Sequence, residues 1–144
     1  MKLKEETIEE VNKFLKGIHM GGTTFKDYLE KAQSQSLKEE LRLIVESFKR
    51  HEEAITHRIE ALGGNAADSV GIMGMMGEFF EKIKMIPVDT DKEVLEHGIN
   101  AMDMGIENAN KFLEEHKDLE PSLIKDIEGV VKDYDNHLRK LKEM

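Results

Sequence analysis

Apolar residues recur at intervals of three and four along four long stretches of the chain, a pattern typical of helices that bury one face. These stretches run over about 5–33, 37–62, 91–116 and 122–143. Gly63-Gly64 predicts a C-terminal cap for the second helix, and Thr90 or Asp91 predicts an N-terminal cap for the third. The pattern therefore predicts an all-α fold built from four helices.

The connection between the second and third helices, residues 63–90, differs from the helices in composition. Its segment 71–80 is rich in Gly, Met and Phe. A connection this long and apolar is not a hairpin turn, so we expect it to cross the length of the bundle. The second and third helices would then point the same way. Four methionines in it suit packing against the bundle flank or a dimer contact, and soft Cu(I) ligation is the alternative: Met73, Met75, Met76 and Met85.

Length, charge and cysteine content narrow the classes of function. The 144 residues suffice for one domain with its own core, and the formal net charge is -9. Without a basic stripe the chain is not expected to bind nucleic acid or anionic membranes. No apolar run approaches the ~20 residues that span a bilayer, and no secretory signal is present, so we expect a cytoplasmic protein. The absence of Cys excludes disulfides and thiolate metal sites.

The two halves of the chain share a spacing of aromatic and histidine residues. Phe48 precedes His51 by three positions, and Tyr134 precedes His137 by three positions. We interpret the chain as a duplicated two-helix unit with the long connection between the copies.

Several segments together resemble the ferritin-like superfamily, in the direction of rubrerythrin and bacterioferritin. They are residues 15–28, 49–51 (Lys-Arg-His), 61–64 (Ala-Leu-Gly-Gly), the Met-rich connection, and 104–106 (Met-Gly-Ile). The chain is most similar to the uncharacterised bacterial members, which are domains of unknown function. The resemblance covers most of the chain and implies a single domain, 1–144. It also implies a four-helix bundle with a long crossover between helices two and three.

Di-iron members of that superfamily take one Glu from each of two helices and a Glu-x-x-His motif from each of the other two. Carried onto this chain, the resemblance retains the imidazoles as His51 and His137. It places apolar or aromatic residues at all four carboxylate positions: Ile18, Phe48, Met102 and Tyr134. Bridging carboxylates offset the charge of two metal ions, so a working di-iron oxidase is not expected.

Other polar residues leave alternatives open. Asp103 is adjacent to Met102, and His19 is adjacent to Ile18, so either is the counterpart if the register differs by one residue. A one-residue shift rotates a helical side chain by about 100°. Glu53 and His57 form an i, i+4 pair that suits zinc, although such pairs usually lie on a solvated face.

We therefore expect a non-catalytic protein with a structural, interaction or stress-related role, a degenerate di-metal site and no cofactor. We expect a homo-oligomer, most simply a dimer, and a protein partner that the residues do not identify. In this interpretation His51 and His137 are neutral core histidines. The alternative is a rubrerythrin-like oxidoreductase or metal-storage protein, with these histidines as remnant ligands of iron or another divalent metal.

Overall fold

The computed structural model describes residues 4–67 and 88–144. These residues form four helices and no strand: α1 (Lys4–Lys31), α2 (Gln35–Ala61), α3 (Asp91–Glu115) and α4 (Pro121–Lys142). No helix within these ranges is long and apolar enough to cross a membrane. Most of the Met-rich connection, residues 68–87, lies outside the described residues. The expectations for Met73, Met75, Met76 and Met85 fall there.

Side chains with short polar groups begin two of the helices. Ser34 is the N-cap of α2, and its hydroxyl accepts a hydrogen bond from the backbone N–H of Leu37 at 3.3 Å. Thr90, one of the two predicted caps, is the N-cap of α3 and accepts from the N–H of Glu93 at 3.2 Å. Each bond satisfies a backbone donor that a helix leaves without an internal partner. α4 begins with Pro121, whose missing N–H is not needed at that position.

Gly63 ends α2 in the predicted way. Its φ of 83° lies in the left-handed region, where a side chain would strain the backbone. The N–H of Gly63 donates to the carbonyl of Glu60 at 2.9 Å, and the N–H of Gly64 donates to that of Ile59 at 3.0 Å. This pair of bonds is the Schellman arrangement, and it turns the chain away from the helix axis.

Four interfaces join the helices in a ring: α1 packs on α2 and α3, and α4 packs on α2 and α3. The pairs α1/α4 and α2/α3 are therefore diagonal. The Asp91 carboxylate, at the start of α3, accepts from the N–H groups of Gln33 and Ser34 at 2.7 and 2.9 Å. At the other end of α3, His116 lies beside Glu10. α1 and α3 are therefore antiparallel.

The direction of the remaining helices follows in the same way. α2 returns antiparallel to α1 after a short turn, and its last turn meets the first turns of α4 where Arg58 donates to Asp126 at 2.6 Å. Consequently α2 and α3 run in the same direction. The end of α2 and the start of α3 lie at opposite ends of the bundle, about 37 Å apart by the rise of a 25-residue helix.

The core is an apolar interior to which all four helices contribute. Its fully buried residues include Leu15, Ile44, Ile55, Val94, Ile127 and Leu141. Near the middle the packing becomes aromatic: the ring of Phe48 lies 5.6 Å from that of Phe25 and 5.1 Å from that of Tyr134, between centroids. Offset and tilted aromatic pairs at these distances stabilise a core beyond their buried area. We call Phe25, Phe48 and Tyr134 the aromatic layer.

Candidate functional site

The four positions at which the resemblance implies lost carboxylates are all buried. Ile18 and Met102 are each 1% exposed, and Phe48 and Tyr134 are each 4% exposed. Phe48 and Tyr134 are in ring contact within the aromatic layer. None of these four side chains carries a carboxylate, and two iron ions would need several in so dry an interior. The residues at these positions do not fit a di-iron centre.

His51 lies beside the aromatic layer, in the interface between α2 and α4. Its ring is edge-on to that of Tyr134, with centroids 5.9 Å apart. Its Nε2 lies 2.7 Å from Oδ2 of Asp133 on α4. A carboxylate only accepts, so Nε2 carries the proton and donates it. The hydroxyl of Ser47, one turn before His51, donates to the same carboxylate oxygen. Asp133 is therefore the common acceptor for two α2 side chains.

His137 lies on the same interface, with a side chain only 9% exposed. Its Nδ1 is 3.5 Å from Oε1 of Glu40, and its Nε2 is 3.5 Å from Oδ2 of Asp133. Both separations exceed good hydrogen-bond length, and neither ring nitrogen has a hydrogen-bond partner among the described residues. Oε1 of Glu40 is likewise buried without one. The two predicted histidines thus approach the same Asp133 oxygen, and only His51 bonds to it.

We call these five residues, Glu40, Ser47, His51, Asp133 and His137, the seam cluster. Burial lowers the pKa of His51, and the neighbouring Asp133 only partly offsets that effect. Burial alone would raise the pKa of Asp133. The hydrogen bonds from Ser47 and His51 and the nearby imidazoles outweigh burial, so the pKa of Asp133 is lowered. The net result is an ionised carboxylate that accepts from a neutral imidazole and a hydroxyl.

This arrangement does not form a nucleophile–base pair. In a Ser-His-Asp triad one imidazole nitrogen accepts from the hydroxyl and the other donates to the carboxylate. Here Nε2 of His51 faces both Ser47 Oγ, at 3.2 Å, and Asp133 Oδ2. The Ser47 hydroxyl donates to the carboxylate rather than to the imidazole. The geometry favours a structural polar contact over acyl-transfer chemistry.

Metal coordination is the other chemistry that a pair of imidazoles can support. Across residues 4–67 and 88–144, no group of three or more His, Asp or Glu side chains is arranged so as to hold a metal ion. Asp103 lies on α3, which is diagonal to α2. Glu53 and His57 are exposed on α2.

His19 and His116, outside the seam cluster, also have specific contacts in the structure. His19, 8% exposed, has Nε2 3.1 Å from the carbonyl of Ala67 and Nδ1 3.0 Å from Oε1 of Glu52. His116 Nδ1 lies 2.7 Å from the carbonyl of Phe112, and its Nε2 is 3.0 Å from Oε2 of Glu10. These contacts attach the segment after α2 to α1, and the end of α3 to the start of α1.

Sequence reasoning missed Glu40, Ser47 and Asp133. A signal for two of them was present. Ser47 precedes His51 by four residues, as Asp133 precedes His137, so the repeat that relates the histidines also relates Ser47 to Asp133. Residues four apart share a helix face. Extending the repeat by one residue toward the N-terminus would have found the bonded pair. No comparable signal singles out Glu40.

A family model with the description "Domain of unknown function (DUF2383)" matches residues 6–115, which is well over half of the chain. No curated protein matches the chain.

Proposed function

The chain belongs to the family described as a domain of unknown function (DUF2383), and from that premise we propose that it is a ferritin-like helical bundle with a degenerate di-metal site. Its role would be non-catalytic, in structure, protein interaction or a stress response. The observation that carries the proposal is the occupation of all four carboxylate positions by apolar or aromatic side chains, Ile18, Phe48, Met102 and Tyr134. None of these side chains has a charge that compensates a pair of cations.

The directions of the helices support the ferritin-like part of the proposal. α2 and α3 run the same way, and the end of α2 and the start of α3 lie at opposite ends of the bundle. A bundle with one such crossover between its second and third helices is the ferritin-like topology. An up-down-up-down bundle would instead place the end of α2 beside the start of α3.

The seam cluster supports a structural role for the two histidines. Each lies on the interface between α2 and α4 and faces carboxylates of the opposite helix. In the proposed function they help specify the pairing of these two helices. Self-association as a dimer, in the cytoplasm, is the simplest way for such a bundle to act through protein contacts.

Metal analysis tests the proposal. The full chain would be purified without chelator or affinity-tag metals, its iron, manganese and zinc content measured, and its oxygen consumption followed after addition of ferrous iron. We expect substoichiometric metal and no oxygen consumption above that of free iron. Stoichiometric iron or manganese, with iron-dependent oxygen consumption, would overturn the proposal in favour of a rubrerythrin-like oxidoreductase. Stoichiometric metal without turnover would favour metal storage.

Sedimentation velocity tests the self-association. A concentration series of the full chain should show a dimer that dissociates on dilution or persists throughout. A monomer at every concentration would remove self-association from the proposal and leave binding of a different protein as the route of action.

A further inference from the structure

Two adjoining cavities lie between α1 and α3, on the side of the bundle opposite the seam cluster. One, of about 470 Å³, is bordered by charged residues of both signs, Glu10, Lys13, Lys111 and Glu115. The other, of about 370 Å³, has a mainly apolar lining that includes Phe25, Phe48 and Met102. Both volumes lie in the range of small-molecule sites. Four residues line both cavities, which are therefore adjacent: Gly17, Gly105, Asn108 and Tyr134.

Two of the shared residues are glycines, one on each wall. A Cβ added at Gly17 would meet no atom within 4 Å, and one added at Gly105 would lie 3.4 Å from the ring of Tyr134. Glycine in a helix interior costs about 1 kcal/mol relative to alanine. At Gly17 the packing of the bundle offers no reason for that cost. The missing side chains leave space along the walls that the two cavities share.

Tyr134 supplies a polar group inside this apolar space. It is 4% exposed and lines both cavities, and none of the hydrogen bonds of the described residues involves its hydroxyl. Burial raises the pKa of Tyr134, so its phenol stays protonated and can donate. The hydroxyl oxygen is not among the side-chain atoms that lie buried without a partner, so it is open to solvent. A bound molecule with an acceptor atom would displace that solvent and accept from the hydroxyl.

We propose that these cavities bind a small aromatic molecule that carries one neutral hydrogen-bond acceptor, such as a carbonyl oxygen. The aromatic body occupies the apolar cavity against Phe25 and Phe48, and the acceptor takes the proton of the Tyr134 hydroxyl in a hydrogen bond. The charged cavity has cations and anions together, so it does not select a carboxylate or an amine. The inference is independent of the proposed function, because it involves neither a metal nor the histidines.

The test uses 6-acetyl-2-dimethylaminonaphthalene, an aromatic ketone whose fluorescence shifts to the blue in apolar surroundings, titrated with the full chain. We expect saturable binding and a blue shift. Gly17→Leu places a side chain at the boundary of both cavities and should weaken binding at least tenfold. Gly129→Leu is the matched control, since an added Cβ at this exposed position on α4 also meets nothing within 4 Å. It should bind as the parent does.

A second variant tests the acceptor. Tyr134→Phe removes only the hydroxyl and should weaken binding of the ketone by about threefold to tenfold, the worth of one hydrogen bond. Binding of 2-dimethylaminonaphthalene, which lacks the carbonyl, should not change. The site is disproved if the parent does not bind saturably, or if Gly17→Leu binds as well as Gly129→Leu. Equal loss for both probes in Tyr134→Phe would overturn the assigned hydrogen bond.

Discussion

The α2/α4 and α1/α3 interfaces lie on opposite sides of the bundle, and the antiparallel helices pack differently in each. Between α2 and α4, polar side chains are long enough to reach across the interface, and Ser47 and His51 donate hydrogen bonds to Asp133. Between α1 and α3, glycines occupy the corresponding wall, and cavities remain. Both sides border the same aromatic layer through Tyr134. The pairing of α1 with α3 is therefore present although cavities remain in its interface, and we expect the aromatic layer and the polar contacts between α2 and α4 to align the helices.

The largest expected effect comes from removing the layer that both sides share. Phe48→Ala deletes a ring that contacts Phe25 and Tyr134, and large-to-small changes of this kind cost about 3–5 kcal/mol in unfolding free energy. Urea denaturation followed by circular dichroism measures it. Leu43→Ala is the control on the same helix, because Leu43 is 48% exposed and should change stability by less than about 0.5 kcal/mol. Similar decreases in unfolding free energy in both variants would show that the aromatic layer stabilises the protein no more than an exposed side chain does.

The next effect compares two polar contacts between α2 and α4, one of which involves a more exposed α2 side chain than the other. Asp133→Ala leaves Ser47 and His51 without their acceptor and should cost about 1–3 kcal/mol. Asp126→Ala removes an acceptor from Arg58, whose side chain is 40% exposed, and should cost about 0–1 kcal/mol. Denaturant midpoints of the two variants give the comparison. If Asp126→Ala proves the more damaging, the seam cluster is not what aligns α2 with α4.

Two glycines of α1 sharpen the contrast on the open side. An added Cβ at Gly21 would lie 2.5 Å from Cε1 of Phe48, too close for either to remain in place, so Gly21→Ala should destabilise the protein by about 1–3 kcal/mol. Gly17→Ala meets no atom and should stabilise it by up to about 1 kcal/mol through helix propensity. Thermal melts of both variants should therefore move in opposite directions. A lower melting temperature for Gly17→Ala would mean that this space is already filled.

The smallest expected effect is a pH dependence of the unfolding free energy that comes from His51 and Asp133, between α2 and α4. Burial lowers the pKa of His51 below its unfolded value of about 6.5. As the pH falls below 6.5, the unfolded chain binds a proton at this residue that the folded chain does not, so stability decreases until the folded pKa is reached. The pKa of Asp133 is lowered in the folded protein from about 4 in the unfolded chain. Asp133 therefore adds stability at pH values above about 4, and that stability is lost only as the pH falls through the folded pKa.

Stability measured between pH 8 and pH 4.5 isolates the histidine. His51→Phe should flatten the decline below pH 6.5, whereas His57→Phe, at an exposed position of the same helix, should leave it unchanged. An NMR titration that finds the His51 imidazole ionising at 6.5 or above would contradict the effect of burial.

The repeat along the chain explains why the sequence predicted that His51 and His137 occupy equivalent positions. The spacing that relates His51 to His137 placed both on the inner faces of their helices, and the structure does bring them to one interface. It did not reveal that the carboxylate facing each histidine comes from the opposite helix. Asp133 lies 82 residues from His51, and Glu40 is 97 residues from His137, 137 minus 40 in the sequence. Contacts over such separations depend on which helices are neighbours, and periodicity within one helix does not report that.

The sequence alone determined the elements: four amphipathic helices, the Gly63 termination of α2 and the start of α3 at Thr90 or Asp91, of which the structure shows Thr90 to be the cap. These depend on residues within one or two turns, so local spacing and backbone chemistry suffice. Only the tertiary structure decided the ring of four interfaces, the sharing of Asp133 and the cavities between α1 and α3. Those features require side chains far apart in the chain to meet, and the meeting depends on how the apolar faces pack.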